Sequence, residues 1–263
     1  MARSKTVVWG GVLVVAGVVS LLANLDVNIR WDLLVPIFVI LIGVWLIVAR
    51  IGPGGGYAVG DRAEAREGID KATLDLAVGA GRVQVRSATL GGDQLYTAHV
   101  EQQGGSPDVR LDRGTCTLKI STRLDWIIGA RRLRVDAQLS DAVAWHVRCA
   151  TGAIRGEFDL STAPLSGFDC RTGASQISIT LPPPKGVVPL HIVGGAMRVD
   201  LVRPAGSALK VQAEGGALRL QADGTGQDGF GIRGWRSAGF DAAADRYEVS
   251  LAGGALDVNI STR

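Results

Sequence analysis

Cys149 and Cys170 stand 21 residues apart, His146 and His191 flank the same stretch, and residues 192–201 read IVGGAMRVDL. Each of these residue types does chemistry elsewhere. A thiol attacks carbonyls or forms disulfides, an imidazole moves protons or binds metal, and paired glycines after a strand cradle phosphates. None sits here in the pattern its chemistry needs. The three cysteines, with Cys116, show no CxxC or CxxH spacing, so neither a zinc site nor a disulfide framework is expected. No GxSxG, HExxH, Walker or GxGxxG-plus-acid pattern occurs. His146 and His191 neighbour strand-like residues, with no carboxylate or cysteine at ligand spacing; they and His99 read as surface histidines. Neighbouring Arg155 and Glu157, and Arg198 and Asp200, read as a solvated charged face rather than the acidic wall of a carbohydrate-cleaving site. The expectation is no catalytic residue, no metal and no cofactor.

The elements that position these residues are repeats. Gly-Ala occurs at Gly79, Gly152, Gly173, Gly195, Gly216 and Gly254, each followed by alanine. With the six copies aligned on that alanine, apolar residues recur at fixed offsets. Six before it stand Leu74, Val147, Phe168, Leu190, Val211 and Val249; four before, Leu76, Cys149, Cys170, Ile192, Ala213 and Leu251. Three after it stand Val83, Gly156, Ile177, Val199, Leu220 and Val258; five after, Val85, Phe158, Ile179, Leu201, Ala222 and Ile260. Only Gly156 breaks the pattern, and the positions between are mostly polar. Period-two alternation on both sides of a Gly-Ala corner predicts strand, turn, strand, with one face buried. The alanines at 153, 174, 196 and 217 set coils of 21 to 22 residues. One coil cannot bury its own apolar face, so neighbours must stack, about 4.8 Å apart. The fold class is therefore an all-β, single-domain β-solenoid, β-helix-like, over 69–263. The corner glycine is expected at positive φ, the alanine where coils pack closely. LPPPKGVVP at 181–189 is expected between coils. Stacking places Cys149 and Cys170 in equivalent buried slots, about 5 Å apart, within disulfide reach.

Ahead of the repeats lie two apolar runs, 7–25 and 33–51, each of 19 residues. Each is long enough to cross a bilayer as a helix, about 28 Å. The linking DVNIRWD makes them a transmembrane hairpin over 1–51 in contact with membrane lipid, with Gly10, Gly17, Pro36 and Gly43 as candidate packing positions. A cleaved signal peptide is the competing reading; it lacks a small-x-small cleavage site. Arg3, Lys5, Arg50, Arg62 and Arg66 flank the runs while the link holds only Arg30, which predicts a two-pass protein with its N-terminus and C-terminal domain cytoplasmic. In the cytoplasm the thiols would be reduced. Residues 52–68 are glycine-rich, then charged, and read as a flexible linker. Net charge is +3 over 263 residues, with no concentrated basic face, which argues against a nucleic-acid partner.

Two segments interrupt the repeat and are candidate partner surfaces. The first, 125–139, carries Trp126, Arg131, Arg132 and Arg134; the second, 228–240, carries Phe230, Arg233, Trp235 and Arg236. Aromatic residues and arginine are favoured at interfaces. Capping of the solenoid ends is the plainer role.

GGVLVVAGVVSLLANL followed by WDLLVPIFVILIGVWLIVAR resembles the LiaI/LiaF-like transmembrane region of bacterial envelope-stress proteins. LDLAVGAGRVQV, VRCATGAIRGEFDLS, CRTGASQISITLP and HIVGGAMRVDL resemble the toast-rack β-domain, related to adhesin domains of similar architecture. The late stretch GWRSAGFDAAADRYEVSLAGGALDVNI is similar too. This resemblance implies a bacterial membrane protein of the cell envelope, non-enzymatic, that contacts a membrane partner such as a sensor kinase in a stress response. Gly156 departs from the pattern and implies an irregular coil. An adhesin or glycan-binding module anchored the other way round is the alternative.

Overall fold

A computed structural model describes residues 57–103, 107–122 and 133–263. The two apolar runs, and with them Gly10, Gly17, Pro36 and Gly43, lie outside the described residues. Among the described residues no helix is long and apolar enough to cross a membrane.

Six long strands carry the six repeats: β2 (Lys71–Ala88), β7 (Ala144–Asp159), β8 (Leu165–Thr180), β9 (Val187–Arg203), β10 (Ala208–Ala222) and β12 (Arg246–Thr262). Each runs unbroken through its Gly-Ala corner, so a coil holds one bent strand rather than two short ones. The strands pair in parallel, and the register is the alignment read from sequence: Ala80 pairs with Ala153, Ala174 with Ala196, Ala196 with Ala255, and Ala255 with Ala217. Every residue at the four apolar offsets is buried. Both arms feed one core. Phe158, from the far arm of β7, meets Phe168, from the near arm of β8, edge to face at 5.2 Å.

The corner works differently from expectation. Gly152, Gly173, Gly195, Gly216 and Gly254 do not adopt a left-handed φ. Glycine is required by proximity instead. A Cβ on Gly152 would lie 2.7 Å from the Gly79 carbonyl oxygen, and one on Gly173 2.7 Å from that of Gly152. The same contact is 3.0 Å for Gly195 on Gly173, Gly254 on Gly195 and Gly216 on Gly254. A glycine column thus runs through the stack. The neighbouring alanines are exposed rather than packed between coils. Gly156 causes no irregularity: Phe158 fills its space, 2.8 Å from where a Cβ would be, and the register with β8 continues through Asp159.

The stacking order also departs from chain order. It runs β2–β7–β8–β9–β12–β10, so the last repeat lies between the fourth and fifth. A seventh bent unit precedes β2. Its arms are β5 (Thr117–Thr122) and β6 (Leu133–Ser140), which pair in parallel with the two arms of β2. Leu118, Ile120, Val135 and Ala137 occupy the four apolar slots. Antiparallel strands close both ends. On one side β3 (Gln94–Gln103) pairs with β6 and β4 (Pro107–Asp112) with β5, and β1 (Tyr57–Ala65) pairs with β3. On the other, β11 (Thr225–Arg236) pairs with β10. β1 corrects the expected 52–68 linker: residues 57–65 belong to the sheet, because β3 offers them a free edge. Of the proline-rich stretch 181–189, residues 181–186 lie outside any strand as expected, but 187–189, Pro189 included, open β9 and pair with β12.

Gly173→Val should destabilise the domain by about 1–3 kcal/mol, since its side chain must displace the Gly152 backbone. Ala174→Ser, one residue along and exposed, should stay within about 0.5 kcal/mol. Thermal melts of both variants check this; equal melts would remove the glycine column as a constraint.

Candidate functional site

Parallel in-register strands line up their outward residues in straight rows about 4.8 Å apart. Beyond the corner, one row sets Arg134, Arg82 and Arg155 on adjacent strands, all exposed. The next row sets Asp61, His99, Asp136, Gln84 and Glu157 side by side. Like charges on adjacent strands repel, and the second row offsets the first. Arg134 Nε meets Asp136 at 3.1 Å, and Gln84 Nε2 donates to Glu157 at 2.7 Å. Further along, Arg198 meets Asp257 at 2.8 Å. These exposed pairs order the face more than they stabilise it.

A depression of about 370 Å³ opens in this face at the β1–β3–β6–β2 end. Its polar lining includes Asp61, His99, Asp136, Gln84, Arg86 and Gln138. His99 Nδ1 lies 2.5 Å from Asp61 and its Nε2 3.3 Å from Glu101. The hydrogen bond to Asp61, then that to Glu101, raises the His99 pKa above the ordinary imidazole value. The arrangement suits hydrogen bonding to a polar partner.

His146 has a carboxylate after all: Nε2 lies 2.7 Å from Asp169 on the next strand. The local-spacing expectation missed it because the pairing crosses strands. The ring also sits over Gly167, where a Cβ would be 2.7 Å away. That contact holds the imidazole against backbone rather than against a nucleophile. His191 is exposed. Among the described residues, no group of three or more His, Cys, Asp or Glu could hold a metal ion.

Cys149 and Cys170 are buried, directly opposite each other, and both free. The facing Cys170 thiol, then burial, raises the Cys149 pKa well above the ordinary thiol value. Thiolate is the reactive form, so this buried thiol is held back from nucleophilic attack.

Of the two candidate partner segments, Trp126, Arg131 and Arg132 lie outside the described residues. Arg134 belongs to the arginine row above. On β11 the roles divide. Trp235 packs partly against the core, with the Arg203 guanidinium 5.7 Å from its ring centroid. Arg203 is itself buried and donates to Asp223 and to the Ser207 carbonyl. Arg236 pairs with Asp241 at 2.9 Å. Phe230 projects into solvent, 77% exposed, and Arg233 donates to the Ile232 carbonyl of its own strand. Trp235 is thus a cap, and Phe230 is not. The His99 cluster is not legible in the sequence, because Asp61 lies in a stretch of linker composition and reaches His99 only through the pairing of β1 with β3.

A profile of the family described as the N-terminal domain of toast_rack, DUF2154, matches residues 58–202. A crystal structure of a candidate cell adhesion protein from Clostridium sporogenes ATCC 15579 aligns with TM-score 0.67 and 18% identity, over 79% of this chain and 100% of that one. At that identity the likeness is one of fold. A candidate adhesin from Bacteroides fragilis NCTC 9343 aligns at 7% identity over 80% of this chain and 99% of its own. Its TM-score is 0.21, too low to describe a shared fold. No curated protein matches the sequence.

Two outcomes are expected. Because the folded pKa of His99 is raised, its charged form adds stability below the unfolded value near 6.5. That contribution falls away as pH rises through the folded value. NMR titration of the His99 ring should give a midpoint above 6.5, and His99→Gln should flatten this part of the stability profile. Trp235→Ala should lower stability by about 1–3 kcal/mol, less than a fully buried tryptophan, as read by denaturant melts.

Proposed function

The chain belongs to the toast-rack N-terminal domain family, and from that premise we propose that it is a non-enzymatic, membrane-anchored interaction module of the bacterial envelope. The β-domain is a rigid stack, and its outward rows offer regular polar hydrogen-bonding positions to a protein partner. The observation that carries this reading is the ordered polar face around His99, with Asp61, Asp136, Gln84 and Arg86 at its depression. The pairing of the thiols and of His146 with Asp169 supports a structural role for those residues.

The two apolar runs at 7–25 and 33–51 supply the anchor in this proposal, with N-terminus and β-domain in the cytoplasm. Their likeness to the LiaI/LiaF-like region favours a membrane partner such as a sensor kinase, modulated through protein contacts in an envelope-stress response. An adhesin or glycan-binding module is the second reading, favoured by the fold of the Clostridium protein. Topology separates the two.

In native membranes, cross-linking should capture an integral membrane protein, and Asp136→Arg on the polar face should abolish that capture while leaving the fold intact. A reporter fused after residue 263 should be active only on the cytoplasmic side. Activity outside would favour the adhesin reading.

A further inference from the structure

β11 is an edge strand. β10 covers one side of it, and no strand among the described residues covers the other. It also carries the two most exposed large hydrophobic residues described, Phe230 at 77% and Ile232 at 56%. The pairing with β10 fixes their direction. Ile232 lies opposite Glu214 and Asp228 opposite Arg219, both outward, while Trp235 lies opposite Val211, which is buried. Residues 228, 230, 232, 234 and 236 therefore share the outward side.

Edge strands in soluble domains are normally defended by charge, proline or cover. The other end of the stack follows that rule. β1 sets exposed Asp61 and Arg62 beside its exposed Val59, and β4 begins at Pro107 and presents Asp108 and Arg110. β11, TGQDGFGIRGWR, has neither proline nor lysine; its exposed charges, Asp228 and Arg236, stand on either side of Phe230 and Ile232 rather than between them, and its glycines leave the approach to its backbone open. Two bare hydrophobic residues beside an open edge mark a pairing surface.

We propose that β11 pairs antiparallel with β11 of a second copy of this chain, across a twofold axis at Gly231. Antiparallel partners must match faces, so outward residues meet outward residues. Centring on Gly231 sets Phe230 opposite Ile232 of the partner subunit, twice. It sets Asp228 opposite Gly234 of the partner subunit and diagonal to Arg236 of the partner subunit, giving two cross-copy charge pairs. Centring one residue earlier, on Phe230, would instead set Asp228 against Ile232. The strand bends close to this point, with Gly231 at φ +82°, so the axis exchanges the two arms. Charge complementarity and the matched apolar pair both select a second copy over an unrelated strand. The defended far end excludes head-to-tail growth, so association closes at two. This proposal is independent of the signalling partner, whose capture is read on the His99 face.

The test uses the full chain in its membranes, with Cys116→Ser as background because that cysteine is partly exposed. Differently tagged Phe230→Cys and Ile232→Cys chains are co-expressed and oxidised with copper phenanthroline. A disulfide-linked heterodimer is expected, and Val59→Cys, at the opposite end, should give none. Ile232→Lys should weaken dimer formation about tenfold or more by setting a charge on the edge. Its thermal melt, taken at dilution where both proteins are monomeric, should not change, because the side chain is exposed in the monomer. The proposal is overturned if 230 and 232 do not cross-link, if they link instead to another protein, or if Ile232→Lys leaves dimerisation intact.

Discussion

The contact on which this fold rests is between a backbone carbonyl and a missing side chain. At each corner from Gly152 onward, a Cβ would stand 2.7–3.0 Å from the neighbouring glycine's oxygen. Hydrogen fits there freely, whereas a Cβ would force the neighbouring backbone to move. That close approach lets a strand turn without leaving the sheet, so both arms keep their hydrogen bonds to the same neighbours. Both arms then turn apolar faces toward one core, and a chain with few aromatic residues fills it with Leu, Val and Ile. The paired apolar offsets, the straight outward rows and the facing cysteines all follow from this shared register.

That register explains what could be read beforehand. In a parallel stack whose register holds unshifted through the repeats, aligning the repeats on paper is the same operation as pairing them in space. Leu76, Cys149, Cys170 and Ile192 share a column in both. What could not be read depends on which edges compete for which strands. β1 has ordinary linker composition and becomes a strand because β3 leaves an edge free. β5 and β6 complete a repeat, yet Ile120 and Val135 stand 15 positions apart where Leu76 and Val83 stand seven apart, so the spacing hid it. The His99 cluster stayed hidden for the same reason, since Asp61 reaches it only through β1. The reason for the corner glycines was misread because close approach, like positive φ, excludes every residue with a Cβ.

Polar and apolar surfaces divide the labour on the outside. Arginine and acid rows face water across the second arm and neutralise one another locally. The two most exposed large hydrophobic residues described, Phe230 and Ile232, stand together at one end, on β11. Partly buried Trp235 and exposed Phe230 sit five residues apart on that strand, one fastened over Arg203 and the other free. A strand can thus close a core on one side of its backbone and remain open on the other.

The place of β12 has a consequence for how the chain is made. β9 and β10 are joined by the short connection 204–207 but stand one strand apart in space. Between them lies a slot about 9.6 Å across, twice the strand spacing. β10 and β11 precede β12 in the chain, so until β12 is made the facing edges of β9 and β10 have no strand between them. β12 then seats like a keystone, bonding to both sides at once. The strand made after its neighbours is thus the one that satisfies both of their inner edges.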